Sequence, residues 1–298
     1  MMKNKFSLLA IAAGVLWGLT GLFRRTLDTM GLSAMGVITV RCFFGLLFFG
    51  IIMLLTDRNT FKIKLKDLWV FFGCGVISLL VFGWCYFKAM DHMSLSTAAI
   101  LLYTAPCFVI LMSVPLFNEK LTGKKLFAMA LAFAGCCLVS GIGSGSGHIT
   151  LTGLALGLGS GICYALYSIF SRFAINRGYS TYTVNFYACL LATLGSVIID
   201  GPGGFAIAFN SGINLVWCVA TGFVTCFLPY MFYTRGLLGL ENGKASIMAS
   251  IEPVVATIVG FVFYHEKPTI LSALGIILVL SAIVLLNVKN NVNETADV

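Results

Sequence analysis

The chain has 298 residues, 59% of them apolar and only 10% charged, far from the composition of soluble domains. That excludes a water-soluble globular fold and points to an integral membrane protein partnered by the lipid bilayer. A net charge of +8 does not make it a nucleic-acid binder, because the Lys and Arg are scattered between long apolar runs instead of gathered on one patch or helix face.

The first apolar run follows Lys3 and Lys5, and Ala10-Ile11-Ala12 mimics a signal-peptidase site. The run continues unbroken to Phe23, so a spanning helix is expected there and not a cleaved leader. Hydropathy then gives ten spans, at 7–23, 33–55, 68–90, 96–117, 124–142, 151–173, 180–200, 213–235, 243–264 and 268–288. Each lies near the ~20 residues a helix needs to cross the hydrocarbon core. Connectors such as Thr56-Asp57-Arg58-Asn59, Gly141 to Gly147 and Gly201-Pro202-Gly203-Gly204 carry turn chemistry and leave no room for a soluble domain. The fold class expected is all-α integral membrane.

All ten cysteines lie inside apolar runs and no CxxC pair occurs. They read as small apolar residues, so no disulfide framework, metal site or cofactor is expected. Fourteen Lys and Arg fall on the connectors of the amino-terminal side, against four on the other side, with Arg41 inside the second span. The positive-inside rule places both termini in the cytoplasm, in a bacterial-type inner membrane.

An internal repeat holds without gaps at an offset of 147 residues. It pairs Gly14 with Gly161, Arg25 with Arg172, Gly31 with Gly178, Ser33 with Ser180, Cys42 with Cys189, Gly75 with Gly222, Pro106 with Pro253, and Glu119-Lys120 with Glu266-Lys267. The halves, 1–147 and 148–298, hold five spans each, so the second enters the membrane from the opposite side. Inverted repeats mark secondary transporters whose site lies near the midplane between the halves. The repeat also argues against a leader, because the first span is the counterpart of the sixth, in mid-chain.

Trp17-Gly18, Arg41, Pro106 followed by Asn118-Glu119-Lys120-Leu121-Thr122, and Glu252-Pro253-Val254 followed by His265-Glu266-Lys267-Pro268-Thr269 together resemble the EamA-type branch of the drug/metabolite transporter superfamily. The resemblance runs from about Leu8 to Leu286, and the ordered set with its duplication carries it more than any single motif. It implies two inverted five-helix repeats, a central cavity and alternating access for amino acids, other small metabolites or drugs. Tyr164-Ala165 stands where the first half has Trp17-Gly18, and none of these motifs names the cargo.

Glu252 is a carboxylate at the middle of an apolar helix, where a charge costs on the order of 3 kcal/mol or more unless it faces a cavity or a partner. It maps onto Ala105, and Arg41 maps onto Ala188, so the duplicated scaffold requires neither charge. Glu252 is expected to bind a cationic group or a proton, the alternative being a structural ion pair with Arg41. Pro253 deprives the Ala249 carbonyl of its helical partner, and Pro106 does the same to Leu102. Both are expected as hinges, or as tolerated prolines of membrane helices. On a straight helix Ser246, Ser250 and Thr257 form a hydroxyl stripe from which Glu252 points away, unless a kink rotates the register.

Trp17, Thr20, Gly21 and Arg24 share one face, matched by Tyr164, Tyr167, Ser168 and Ser171 in the second half. Such a face is expected to line a cavity, or to pack at the interface. Trp84, Tyr103, Asn185 and Tyr230 complete the expected substrate-binding set; Lys88 and Arg235 lie at span ends, where snorkelling explains them. Gly14-xxx-Gly18 and Gly153-xxx-Gly157-xxx-Gly161 are expected to pack inside the bundle more than to dimerise. Glu119 and Glu266 are expected to act on the dipole of the next helix, or as gating ion-pair partners.

Enzyme readings fail. His265-Glu266-Lys267-Pro268-Thr269 begins like a zinc-protease HExxH but ends in Thr, the serines near Ser144 and Ser146 form no GxSxG, and no phosphate loop is present. The expectation is a secondary transporter of small organic solutes, an exporter or exchanger with proton coupling through Glu252, acting as a monomer or homodimer. A non-transporting scaffold or lipid-handling membrane protein is the alternative.

Overall fold

The computed structural model describes residues 2–93, 95–140, 150–265 and 269–287, and every regular element among them is helical. A membrane-spanning chain has this need, since lipid offers no partner to a free backbone N–H or C=O. Ten helices account for the spans: α1 Lys5–Thr29, α2 Ala34–Thr56, α3 Leu65–Met90, α4 Thr97–Phe117, α5 Gly123–Val139, α6 Leu151–Asn176, α7 Thr181–Asp200, α8 Gly212–Leu237, α9 Asn242–Tyr264 and α10 Ile270–Asn287. With 17 residues, α5 is the shortest of them. The Gly141 to Gly147 connector, the Glu266-Lys267 pair and Pro268 lie outside the described residues.

The repeat is written into the backbone as well as the side chains. Ser33 and Ser180 each accept the backbone N–H three residues on, capping α2 and α7; Thr122 and Thr269 do the same for α5 and α10. Gly31 (φ 90°) and Gly178 (φ 84°) take left-handed angles just beyond α1 and α6, and Asn118 (φ 53°) and His265 (φ 55°) do so at the ends of α4 and α9. At the first pair glycine suits the geometry. At the second, Asn and His accept a conformation that most residues avoid.

Helices of one half pack on helices of the other, α2 against α7, α5 against α10, α1 against α8 and α9, and α6 against α3 and α4. Small residues set the approach. A Cβ on Gly135 would stand 2.7 Å from the Gly275 carbonyl oxygen, and one on Gly275 would stand 2.6 Å from that of Gly135. Backbone thus meets backbone between α5 and α10. The Gly14 and Gly18 pair lies on α9 and Gly157 and Gly161 lie on α4, with Gly153 against His92 and Met93, so these stripes serve packing within the bundle.

Three helices break near mid-membrane: α1 at Leu19, α4 at Tyr103–Thr104 and α9 at Ser250–Ile251. The last two precede Pro106 and Pro253, which stand in the first turn of the resumed helix, where a missing N–H does no harm. The axial kink expected from each proline is therefore a turn between two half-helices. Two further irregularities come in register. Residues Gly73–Val81 of α3 and Gly222–Phe227 of α8 are π-helical, with Gly75 and Gly222 at the repeat offset. Such widened turns recur at functional sites, because each inserts a residue and turns the side chains beyond it.

Candidate functional site

The breaks in α4 and α9 face one another, and a narrow pocket opens between them. Leu102, Tyr103, Ala105 and Pro106 line it from α4; Ser246, Ala249, Ser250 and Glu252 line it from α9; Tyr164 closes it from α6. Leu102 and Ala249, Tyr103 and Ser250, and Ala105 and Glu252 are matched pairs of the repeat. The pocket therefore sits on the axis relating the halves. Its first-half wall is apolar or aromatic, and its second-half wall supplies the hydroxyls of Ser246, Ser250 and Tyr164 and the carboxylate.

The turn at Ser250–Ile251 settles the helix-register problem. Ser246, Ser250 and Glu252 reach one pocket because the half-helix carrying Glu252 starts afresh. Thr257 stays apart, its hydroxyl donating to the Pro253 carbonyl at 2.9 Å. The Ala249 carbonyl, freed by the break, lies against Gly14, where a Cβ would come within 2.5 Å of its oxygen. Across the axis, a Cβ on Gly161 would stand 2.9 Å from the Leu101 carbonyl oxygen and 3.5 Å from that of Leu102. A glycine of α1 accommodates the break of α9, and a glycine of α6 that of α4.

A second narrow pocket continues from the first through Tyr164, Ser246 and Ala249, and adds Trp17, Ser78, Tyr167, Ser168, Tyr230 and Tyr233. Its walls are an aromatic cluster. The Trp17 ring lies 5.2 Å from Tyr230, 5.3 Å from Tyr233 and 6.1 Å from Tyr164, and the Tyr167 ring lies 4.9 Å from Tyr230. Ser168 and Tyr233 share a hydrogen bond of 2.7 Å. Ser78, in the π segment of α3, donates to the Gly73 carbonyl at 2.8 Å. Each pocket has space on the order of a water molecule or two, so a solute enters only when the walls separate.

Glu252 and Arg41 form no ion pair with each other. The carboxylate accepts the Tyr164 hydroxyl at 3.3 Å, and an Arg41 terminal nitrogen donates to the Tyr230 hydroxyl at 3.2 Å. Arg41 lies among Cys42, Cys189 and Cys226, and its Nε is buried with no hydrogen-bond partner among the described residues. The alternative of a locked Glu252–Arg41 bridge is not what the chain adopts.

Of the other residues singled out from the sequence, Tyr103, Tyr164, Tyr167, Tyr230 and Trp17 come together at the pockets. Asn185 stands behind them, fully buried, accepting the Tyr167 hydroxyl at 2.5 Å and donating to Thr234 and to the carbonyls of Thr181 and Tyr230. It positions the aromatic wall and does not line it. Trp84 is 44% exposed and lines neither pocket. The widened turn of α3 precedes it, and its face cannot be extrapolated from an ideal helix. Thr20 lines neither pocket, because the break at Leu19 interrupts the face it was to share with Trp17.

The span ends also differ in detail from expectation. Lys88 pairs with Asp91 at 3.0 Å on the exposed surface, whereas Arg235 is tied to Tyr182 by a hydrogen bond and by its position over the ring, 5.0 Å from the centroid. Glu119 caps a helix of the other half instead of the start of the next one, which it meets only through Lys125. Its carboxylate accepts the backbone N–H of Asn242 at 2.5 Å and that of Gly243 at 3.3 Å, capping α9 across the repeat boundary. Lys125 lies 3.6 Å from Glu119 and pairs with Glu241, while Arg172 holds Asn242 at 2.8 Å and the carbonyls of Leu237 and Leu240. This largely buried polar cluster, with Glu241 at its exposed rim, closes the end of the bundle where α4, α6 and α8 finish and α9 begins. Glu266 lies outside the described residues.

A profile of the EamA-like transporter family matches residues 4–141 and again residues 151–288. Among curated relatives, an uncharacterized transporter YxxF of Bacillus subtilis is 29% identical over 95% of this chain and 90% of its own length. An uncharacterized transporter of Archaeoglobus fulgidus is 27% identical over 92% and 93%. The threonine/homoserine exporter RhtA of Escherichia coli K12 is 29% identical over 71% of this chain and 68% of its own. A solved crystal structure superposes with a TM-score of 0.79 at 18% identity, covering 95% of this chain and 96% of that one, which shows the fold. With two copies of the family's unit covering most of its length, the chain belongs to the EamA-like transporter family, as a multi-pass membrane transporter of small metabolites.

Proposed function

We propose that the protein is an exporter or exchanger of small organic metabolites, amino-acid-like solutes or drug-like amines, and that it works by alternating access around the pockets between α4 and α9. The observation that carries this reading is Glu252. It is a carboxylate of a membrane helix, present in only one half, lining a pocket on the repeat axis with a tyrosine hydroxyl beside it and no ion-pair partner among the described residues. Such a group is suited to a cationic portion of the cargo or to a coupling proton. The narrowness of the pockets and the polar cluster around Glu119 fit a state closed at that end, from which the halves rock apart. The name of the E. coli relative, a threonine/homoserine exporter, supports an outward direction and an amino-acid-like cargo.

In this reading the protein sits in a bacterial-type inner membrane as a monomer or homodimer without nucleic-acid partners, with both termini in the cytoplasm, an orientation that the basic connectors support. The test is a counterflow screen of labelled amino acids, nucleosides and cationic drugs in proteoliposomes. At least one amine-bearing solute is expected to exchange with wild-type protein, at a rate cut tenfold or more by Glu252→Gln. If no solute in the panel exchanges, or if the variant exchanges as fast as wild type, the reading is wrong.

A further inference from the structure

We infer that the cargo is a zwitterion, its ammonium group taken by Glu252 and its carboxylate by Arg41. This rests on the reading of Glu252 as a substrate-facing charge and adds the second pole.

Two charges of opposite sign, Glu252 and Arg41, lie in one membrane-embedded region without forming an ion pair. A charge there needs a partner or a cavity. Arg41 makes no ion pair among the described residues: thiols and the Tyr230 hydroxyl surround it, Glu252 feels its charge without touching it, and its Nε is left without an acceptor. A guanidinium with Nε unfilled presents part of the planar fork that carboxylates match. The repeat gives the same message, because the position is Ala188 in the other half, so packing of the duplicated scaffold does not require the charge.

Glu252 lines the first of two adjoining pockets, and Arg41 stands behind the Tyr230 wall of the second. From Glu252 the path runs through the Tyr164 hydroxyl, across the Tyr164, Trp17 and Tyr230 rings, to the Tyr230 hydroxyl under Arg41. The two pockets share Tyr164, Ser246 and Ala249, and Tyr230 lines the second. Each half contributes one pole, Arg41 from the first and Glu252 from the second. A ligand bearing both charges would neutralise both poles and bridge the halves, whereas a simple cation would leave Arg41 buried and unmatched. Tyr230 stands between Arg41 and the pocket, its ring centroid 5.9 Å from the guanidinium carbon, so its hydroxyl is the group a carboxylate would join or displace.

The experiment uses the full-length protein in proteoliposomes and the twenty labelled proteinogenic amino acids. The best exchanged of them is then competed by its own methyl ester, which lacks the carboxylate charge, and by its N-acetyl form, which lacks the ammonium. In wild type each derivative is expected to compete at least tenfold more weakly than the parent. Arg41→Met should erase the preference for parent over ester while keeping that over the N-acetyl form, and Glu252→Gln should do the reverse. Arg41→Lys, which keeps charge but not the fork, should fall between and covers the case in which Arg41→Met does not fold. An ester competing as well as the parent in wild type overturns the inference, as does full discrimination retained in Arg41→Met. Exchange of amines or nucleosides without any amino acid overturns it while leaving the proposed function standing; no exchange of any solute removes both.

Discussion

Glu119 closes a hydrogen bond of 2.5 Å on the backbone N–H of Asn242, so a carboxylate of the first half caps a helix of the second. The side chain is 7% exposed, as is fitting for a group that also faces Lys125 at 3.6 Å. Glu119→Ala removes the acceptor from two N–H groups and one partner from a buried lysine. A loss of about 1 to 3 kcal/mol is expected, read as a lower midpoint of thermal unfolding in detergent. Glu119→Gln, which keeps one acceptor oxygen, should lose less. Equal midpoints for wild type and Glu119→Ala would show that the cap is idle.

The close approach of α1 to α9 gives a second expectation. A Cβ at Gly14 would lie 2.5 Å from the Ala249 carbonyl oxygen, and one at Gly161 would lie 2.8 Å from the Thr104 hydroxyl, while Gly21 has open space around it. Gly14→Val and Gly161→Val should each cost on the order of 1 to 3 kcal/mol through forced separation of the helices. Folded yield after size-exclusion chromatography should drop for both, with Gly21→Ala unchanged. A Gly14→Val protein that folds and melts like wild type contradicts the packing described here.

Tyr164→Phe deletes the hydroxyl that donates to Glu252 at 3.3 Å. With the ring retained, stability should hold. The apparent KM for an amine-bearing cargo should change about fivefold, the equivalent of ~1 kcal/mol for one hydrogen bond. Trp84→Ala serves as the contrast. The indole is 44% exposed and away from the pockets, so counterflow should stay within twofold of wild type; a loss as large as that of Tyr164→Phe would place Trp84 in the transport path after all.

How far the sequence reveals this arrangement depends on how local the physics is. Caps, turns and prolines act within a few residues. Ser33 and Ser180, Gly31 and Gly178, and the breaks before Pro106 and Pro253 can thus be read from residue type and repeat offset. The target of Glu119 cannot, because nothing within five residues of it announces Asn242, 123 positions away. The widened turns of α3 and α8 carry no residue signature beyond Gly75 and Gly222, and they turn the faces on which Trp84 and Tyr230 stand. Asn185 illustrates a different limit: a buried amide in a membrane helix reads as a ligand contact, yet its bonds to Tyr167, Thr181, Tyr230 and Thr234 make it the support of the aromatic wall.

Glu252 and Ala105 occupy matched places on the two sides of the axial pocket, and only the second half carries the charge. The most direct measurement is flux of an exchanged solute into proteoliposomes under an imposed pH gradient, wild type against Glu252→Gln, with folded protein matched by size-exclusion chromatography. A wild-type flux that follows the gradient and a variant flux that ignores it is the predicted result. Gradient-driven flux of equal size in both proteins would contradict the proposal that this carboxylate carries a coupling proton.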